Sequence, residues 1–118
     1  MNTQELLSFI VSIAEDFKAA DIKVLKVSEV CSFADYFVIM SGTSTVHIQS
    51  ICEEISYKCK HAGRPPADVE GLGAGEWCLL DFGDIVVHVF LPKKRSFYDL
   101  EALWKDAEEV TAPRLSKP

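Results

Sequence analysis

Three histidines, four cysteines and two aspartates beside a turn are the side chains with the clearest potential for catalysis or metal binding. His47, His61 and His88 are not spaced as metal ligands, and no cysteine lies in a Cys-x-x-Cys pair. We therefore expect no metal site and no cofactor. The cysteines are predicted to be buried, reduced, structural thiols, at positions Cys31, Cys52, Cys59 and Cys78.

A second candidate site is the turn Ser41-Gly42-Thr43-Ser44, which joins a predicted buried strand to the start of a helix. Backbone N–H groups at a helix N-terminus can bind phosphate. Nucleotidyltransferases use a Gly-Ser turn in this setting, together with two metal-binding carboxylates. The best carboxylate pair here, Asp81 and Asp84, flanks a hairpin turn. We favour Ser44 as a simple N-cap, and keep a divergent nucleotide-binding enzyme as the alternative function.

The composition predicts one acidic domain that binds a partner. The chain has 118 residues, a formal net charge of −6 and a sequence pI near 5.0. This balance opposes phosphate binding, except at the local run Lys93-Lys94-Arg95, and favours a basic partner. Alternatively, the charge only maintains solubility. Because no stretch reaches the roughly 18–20 apolar residues of a membrane span, we expect a cytoplasmic protein.

Hydrophobic periodicity predicts an α/β fold, with a mixed β-sheet packed with α-helices. We predict a single domain over residues 1–110 and a disordered tail over 111–118. The predicted helices cover about residues 3–20, the segment between Ser44 and Gly63, and about 96–109. The predicted strands cover residues 22–27, 36–40, 67–69, 77–82 and 85–91, with 36–40 buried on both faces and 67–69 at a sheet edge.

The most informative element is the hairpin of residues 77–90. The two-residue turn Gly83-Asp84 has glycine first, as a type II′ turn prefers. Pairing through this turn places Cys78 opposite Val89, and strand alternation then divides the side chains between two faces. One is a core face, formed by Cys78, Leu80, Phe82, Ile85, Val87, Val89 and Leu91.

The other face of the hairpin is aromatic and apolar, with one carboxylate and one imidazole. Its members are Trp77, Leu79, Asp81, Val86, His88 and Phe90. Two interpretations stay open. The face lies under a helix, or it is an exposed patch that binds a partner through a large aromatic anchor and a charge that fixes the register.

Three sequence blocks resemble signatures of the ribosomal silencing factor family, also called Iojap-like, and the resemblance covers roughly residues 5–108. The first block is ADYFVI and SGTS, at 34–39 and 41–44. The second is VEG, Trp77, DFGD and VVHVF, at 69–90. The third comprises Arg95, FY, LE and LW, at 95–104. Lys26 and Val46 depart from the family pattern, which usually has an acidic and a basic residue there.

This resemblance implies a nucleotidyltransferase-like fold without catalysis. Family members bind the universal large-subunit ribosomal protein fourteen at the intersubunit face and block association with the small subunit, which represses translation. The resemblance also implies a homodimer. A large-subunit assembly factor that makes the same contact is a further alternative.

The resemblance assigns partner contacts to the second hairpin face and its neighbours. Trp77 is expected to supply buried area, while Asp81 and Glu70 pair with basic side chains of the ribosomal protein. His88 and Tyr98 complete the expected set. The pattern leaves open whether His88 contacts the partner or supports Asp81 from beneath. For Arg95 and Trp104, a structural role is as well supported as a contact.

Overall fold

The computed structural model describes residues 1–111 and confirms a mixed α/β fold. Its six strands form one sheet, in which the central pair β2–β5 is parallel and the other neighbouring strands are antiparallel. The sheet order is β3-β4-β5-β2-β1-β6. In chain order the elements are α1 (Thr3–Asp16), β1 (Ala20–Lys26), β2 (Tyr36–Ser41), α2 (Thr45–His61), β3 (Asp68–Glu70), β4 (Trp77–Asp81), β5 (Ile85–Phe90), α3 (Pro92–Tyr98), α4 (Leu100–Leu103) and β6 (Glu108–Val110).

Helix α1 begins as the sequence predicts but ends earlier. Asn2 and Glu5 form a capping box, in which each side chain accepts a hydrogen bond from the other residue's backbone N–H group. The helix ends at Asp16, so its predicted extension to residue 20 is wrong. Lys18 adopts a left-handed conformation with φ of 64°, and Ala19 already belongs to the turn that leads into β1 at Ala20.

Helices α1 and α2 pack together against one face of the sheet and bury its main core. The predicted apolar side of α2 is confirmed, because Ile48, Ile51, Cys52, Ile55 and Cys59 are all buried. Ser44 caps the start of α2, and Gly63, with φ of 84°, follows its end. None of the described helices is long and apolar enough to cross a membrane.

The four cysteines are all free thiols, as predicted. Cys52, Cys59 and Cys78 are buried, whereas Cys31 is only half-buried and packs against the opposite side of the sheet. The expectation of burial therefore holds for three of the four positions.

The predicted hairpin is confirmed in both register and face. Cys78 pairs with Val89 and Trp77 with Phe90 across β4 and β5. The Phe82 N–H group donates to the Ile85 carbonyl oxygen at 2.9 Å across the turn, where Gly83 has a φ of 89°. Strand β2 is buried along nearly its whole length, and β3 lies at the sheet edge; both agree with the sequence.

The C-terminal region differs from the single helix predicted over 96–109. Pro92 occupies the first turn of α3 and starts this helix earlier, so Ser96 does not act as an N-cap. Asp99 takes a left-handed conformation with φ of 46°, ends α3, and caps α4 by accepting a hydrogen bond from the Ala102 N–H group at 3.3 Å. The chain then forms β6, which pairs with β1. Of the predicted tail, residues 112–118 lie outside the described residues.

The glycine-rich loop between β3 and β4 packs closely against β4 and α2. Gly71 and Gly75 have φ values of 81° and 64°. A Cβ at Gly71 would collide with the Trp77 carbonyl oxygen. The Gln49 side-chain amide of α2 donates to the Leu72 carbonyl oxygen at 2.9 Å. The start of β4 therefore depends on close backbone approach in this loop.

We predict that Gly71→Ala lowers the free energy of unfolding by about 1–3 kcal/mol, because the substitution imposes a left-handed alanine and a collision with β4. Gly73→Ala is the matched control, since a Cβ there meets nothing within 4 Å. Urea denaturation followed by tryptophan fluorescence measures both variants. Equal stability of the two variants would show that the loop does not constrain β4.

Candidate functional site

The sheet face opposite α1 and α2 carries a second apolar cluster, which we call the aromatic face. It is defined by Phe37, Ile39, Trp77, Leu79, Val86, His88 and Phe90. Its centre, on β2 and β5, is buried beneath Leu100, Trp104 and Ala107 from the C-terminal segment. Its β4 side stays half-exposed at Trp77 and Leu79. The part of the face on β2 and β5 is therefore covered, as one interpretation predicts. The part on β4 remains accessible, as the other interpretation predicts.

A row of rings crosses the aromatic face and fixes the indole of Trp77. Phe90 stacks on Trp77 with ring centroids 4.9 Å apart, and Tyr98 from α3 contacts the same indole at 4.6 Å. Phe37 packs edge-on against both Trp104 and His88, each at 5.2 Å. Aromatic pairs of this kind contribute about 0.5–1.5 kcal/mol each beyond their burial. Trp77 is thus a preorganised, half-exposed aromatic side chain.

His88 lies beneath Trp77 and holds it by a hydrogen bond. The Trp77 Nε1–H group donates to His88 Nδ1 at 3.2 Å, so His88 carries its proton on Nε2. Among the described residues, Nε2 has no hydrogen-bond partner. Burial lowers the pKa of His88 to about 4, because a charged imidazolium is poorly solvated there. The histidine is therefore neutral at physiological pH and supports Trp77, not Asp81.

Three carboxylates lie beside the aromatic face at the sheet edge, and we call them the acidic edge: Asp68, Glu70 and Asp81. Asp68 pairs directly with Asp81, and Glu70 with Leu79, so all three point to the side of the sheet that carries Trp77. The pKa of Glu70 is raised by a hydrogen bond with Asp68 and by the negative charges of Asp68 and Asp81. This mutual repulsion would be relieved by a cationic group.

The position of α3 over the aromatic face depends on Arg95, which is only 9% exposed. Its Nη1 donates to the Ser41 hydroxyl oxygen at 2.9 Å, and its Nη2 forms an ion pair with Glu101 at 3.2 Å. These bonds join α3 to β2 and α4, which brings Tyr98 against Trp77. Arg95 therefore has a structural role. Trp104 has one too, because it packs against Phe37.

The turn at 41–44 is already occupied by internal hydrogen bonds. The Gly42 N–H group donates to the Phe90 carbonyl oxygen at 2.9 Å, and the Thr43 N–H group donates to His47 Nδ1 at 2.9 Å. Ser44 accepts from the His47 N–H group at 3.1 Å, which confirms its role as the N-cap. The His47 ring also reaches the Phe17 carbonyl oxygen at 2.7 Å. These contacts favour a structural turn over a phosphate site.

The two aspartates that flank the hairpin turn do not form a catalytic pair. Burial alone would raise the pKa of Asp84, but hydrogen bonds from Thr3 and Arg64, with the Arg64 charge, lower it. Asp81 instead accepts a hydrogen bond from the Gly83 N–H group at 2.8 Å. In the part of the chain that the structure describes, no group of three or more His, Cys, Asp or Glu side chains is arranged to hold a metal ion.

The structure brings the five residues expected to contact a partner into two adjoining groups. Trp77, His88 and Tyr98 are in ring contact, whereas Glu70 and Asp81 belong to the acidic edge. Tyr98 is 45% exposed, but His88 is only 5% exposed. Sequence reasoning missed Asp68, although it lies in the predicted edge strand two residues before Glu70. In an extended chain this spacing places both side chains on one side.

Comparisons with known proteins agree over the whole chain. Residues 1–118 match the family model described as ribosomal silencing factor during starvation. Proteins named ribosomal silencing factor RsfS are 36% identical in Chromobacterium violaceum, over 100% of this chain and 97% of that protein, and 38% identical in Bacillus subtilis, over 91% of each. A crystal structure of a protein from C. violaceum superimposes with a TM-score of 0.87 at 36% identity, over 100% of this chain and 98% of that one.

A more distant organism provides a relative with a different name. A mouse protein named mitochondrial assembly of ribosomal large subunit protein 1 is 38% identical over 101 residues, which are 83% of this chain and 44% of that protein. These names describe regulation or assembly of ribosomes, not an enzymatic reaction.

We predict that acid destabilises the fold through His88. Its folded pKa of about 4 lies below the usual histidine pKa of 6.5, so between these values the unfolded chain binds a proton that the native chain excludes. Stability therefore falls as the pH decreases through this window. Between pH 7 and pH 5 the loss attributable to His88 is about 2 kcal/mol.

Chemical denaturation of His88→Asn at both pH values measures this loss. The variant keeps an acceptor near Trp77 but cannot titrate, so its stability should depend less on pH by that amount. His61→Asn, at an exposed histidine, should retain the parental dependence because it leaves His88 in place. An unchanged pH dependence of stability in His88→Asn would contradict the assignment of the acid destabilisation to His88.

Proposed function

Because this chain belongs to the ribosomal silencing factor family, we propose that it binds the large ribosomal subunit and prevents the small subunit from joining it. The proposed contact is with the universal large-subunit ribosomal protein fourteen, as the sequence resemblance implies. The family is regulatory and not enzymatic, as predicted. The observation that supports this contact best is the position of a rigid, half-exposed Trp77 beside the three carboxylates of the acidic edge.

Trp77 has the properties of an interface anchor. Large aromatic side chains that enter a pocket of the partner dominate many protein interfaces. Phe90, Tyr98 and His88 already restrict the indole, so little conformational freedom remains to be lost on binding. His88, buried beneath the indole, has the role of a supporting residue in this proposal, and Tyr98 forms the exposed margin of the anchor.

The acidic edge supplies charge complementarity to a basic protein. The charges of Asp68 and Asp81 repel that of Glu70 in the free chain, so a lysine or arginine of the partner gains attraction and also relieves this repulsion. Such charges raise the association rate and select against acidic partners. Since binding of a cation favours the ionised form of Glu70, the proposed affinity falls as the carboxylates become protonated in acid.

A role in large-subunit assembly is the second candidate function, and the name of the mouse relative is the specific observation that favours it. The same contact would serve both functions, because a factor at the intersubunit face covers that surface during maturation as well. No contact of the turn at 41–44 favours the nucleotide-binding alternative. The homodimer that the resemblance implies and the cytoplasmic location expected from the sequence stay predictions, which analytical ultracentrifugation and cell fractionation test.

We predict that Trp77→Ala and Asp81→Asn each weaken binding to purified large subunits by at least about tenfold, or roughly 1.4 kcal/mol. Asparagine at position 81 can still accept the hydrogen bond from Gly83, so it removes the charge while preserving the turn. Asp81→Lys should abolish binding. Co-sedimentation with large subunits at increasing protein concentration measures the affinity.

Matched controls lie on α2, on the other side of the sheet. Tyr57→Ala removes an aromatic ring that is 60% exposed, and Glu53→Gln removes one exposed carboxylate; both should bind like the parent chain. If Trp77→Ala and Asp81→Lys are folded and still co-sediment normally, the aromatic face is not the contact.

A subunit-joining assay separates silencing from assembly. We predict that excess protein, preincubated with purified mature large subunits, reduces the yield of joined ribosomes in sucrose gradients, and that Asp81→Lys does not. The physical reason is steric exclusion at the shared face. Normal joining in the presence of bound protein would contradict silencing and leave assembly as the supported function.

A further inference from the structure

Helix α3 presents two lysines and the Phe97 ring, which the protein contact described above does not use, beside Tyr98, which borders that contact. Lys93 and Phe97 are four residues apart on the helix, as are Lys94 and Tyr98, so each pair lies on one side of it. Phe97 is 77% exposed. We call these four residues the basic-aromatic patch.

The charges of this patch are free to meet a ligand. Neither Lys93 nor Lys94 forms an ion pair with any residue that the structure describes. The next residue, Arg95, is by contrast buried and neutralised by Glu101. Only the two lysines of the run Lys93-Lys94-Arg95 therefore contribute positive charge to the surface.

The basic-aromatic patch is continuous with the Trp77 surface but opposite in sign to the acidic edge. Tyr98 contacts both the Trp77 indole, at 4.6 Å, and the Phe97 ring, at 5.1 Å. Asp81 lies at the turn end of the hairpin, whereas Trp77 lies at the other end, where β5 leads into α3. The surface thus carries negative charge at one end, an aromatic anchor in the middle and positive charge at the other end.

From this arrangement we infer that the basic-aromatic patch binds ribosomal RNA, with Lys93 and Lys94 on backbone phosphates and Phe97 stacked on an unpaired base. The inference rests on the proposed function, which brings the Trp77 surface to the large subunit. It extends that function to a second component of the subunit, contacted at the same time as the basic ribosomal protein.

The chemistry of the patch suits RNA better than an acidic protein segment. Lysines act as point charges toward phosphates and release counterions from a polyanion. An exposed phenyl ring is costly in water but stacks on any base without sequence preference. A chain with a net charge of −6 is repelled by RNA as a whole, so a local cluster of unpaired lysines beside an exposed ring is what close approach requires.

The test is co-sedimentation of the full chain with purified large subunits over a series of KCl concentrations. We expect Lys93→Gln/Lys94→Gln to bind about tenfold more weakly at low salt, and its plot of log affinity against log salt to be shallower by about 1.5. Phe97→Ala should bind several-fold more weakly with an unchanged slope, since stacking is not ionic. Lys58→Gln/Lys60→Gln, which makes the same charge change on α2, should match the parent chain.

A second measurement uses isolated ribosomal protein fourteen, which contains no RNA. The two patch variants should bind it as tightly as the parent chain does, whereas Asp81→Lys should not bind. Equal losses of affinity for this isolated protein would show that the patch contacts protein. An unaltered salt slope on subunits would show that the patch contacts no phosphate. Either result overturns the inference about RNA and leaves the proposed function intact. Failure of the parent chain to sediment with subunits would overturn the proposed function, and the inference with it.

Discussion

Burial of strand β5 on both faces is the constraint from which the rest of this molecule follows. Every residue of Ile85–Phe90 is buried, so the strand needs a cover on each side. Helices α1 and α2 provide one cover, over Val87 and Val89. The short C-terminal elements provide the other only in part, because they reach Phe90 but leave neighbouring β4 half-exposed. The exposed strip with Trp77 is the remainder of this incomplete cover.

A histidine in such a strand has a cost that an apolar residue would not have. His88 leaves Nε2 without a described hydrogen-bond partner, and an unsatisfied buried polar group costs about 1–3 kcal/mol. One of its nitrogens holds the Trp77 indole, and the Phe37 ring edge packs beside it. His88 therefore lowers stability but orients one aromatic side chain. Local losses of stability of this kind are common at functional sites.

The sequence predicts the elements whose signals are local, and fails where tertiary contacts decide. Gly83-Asp84 and strict alternation were sufficient for the register of the hairpin, and Ser44 and Gly63 were sufficient for the limits of α2. The segment after Asp99 has no proline or glycine to interrupt a helical pattern until Pro113. Its last residues nevertheless form β6, because Val110 pairs with Val24 and packs against the main core, a contact that local propensity cannot reveal.

The candidate site divides in the same way. The pairing register and strand alternation indicated which side chains share the second face, but burial of that face depends on where the C-terminal segment folds. For this reason Trp77 and His88 differ in exposure, although strand alternation places both on the same face of the hairpin.

Asp81 combines a structural role in the hairpin turn with a proposed role in binding. One of its carboxylate oxygens accepts the Gly83 N–H group and closes the hairpin turn, while its charge contributes to the repulsion within the acidic edge. A basic partner would reduce that repulsion without breaking the turn. Because asparagine preserves the hydrogen-bond acceptor, the charge of residue 81 can be tested apart from its structural role in the turn.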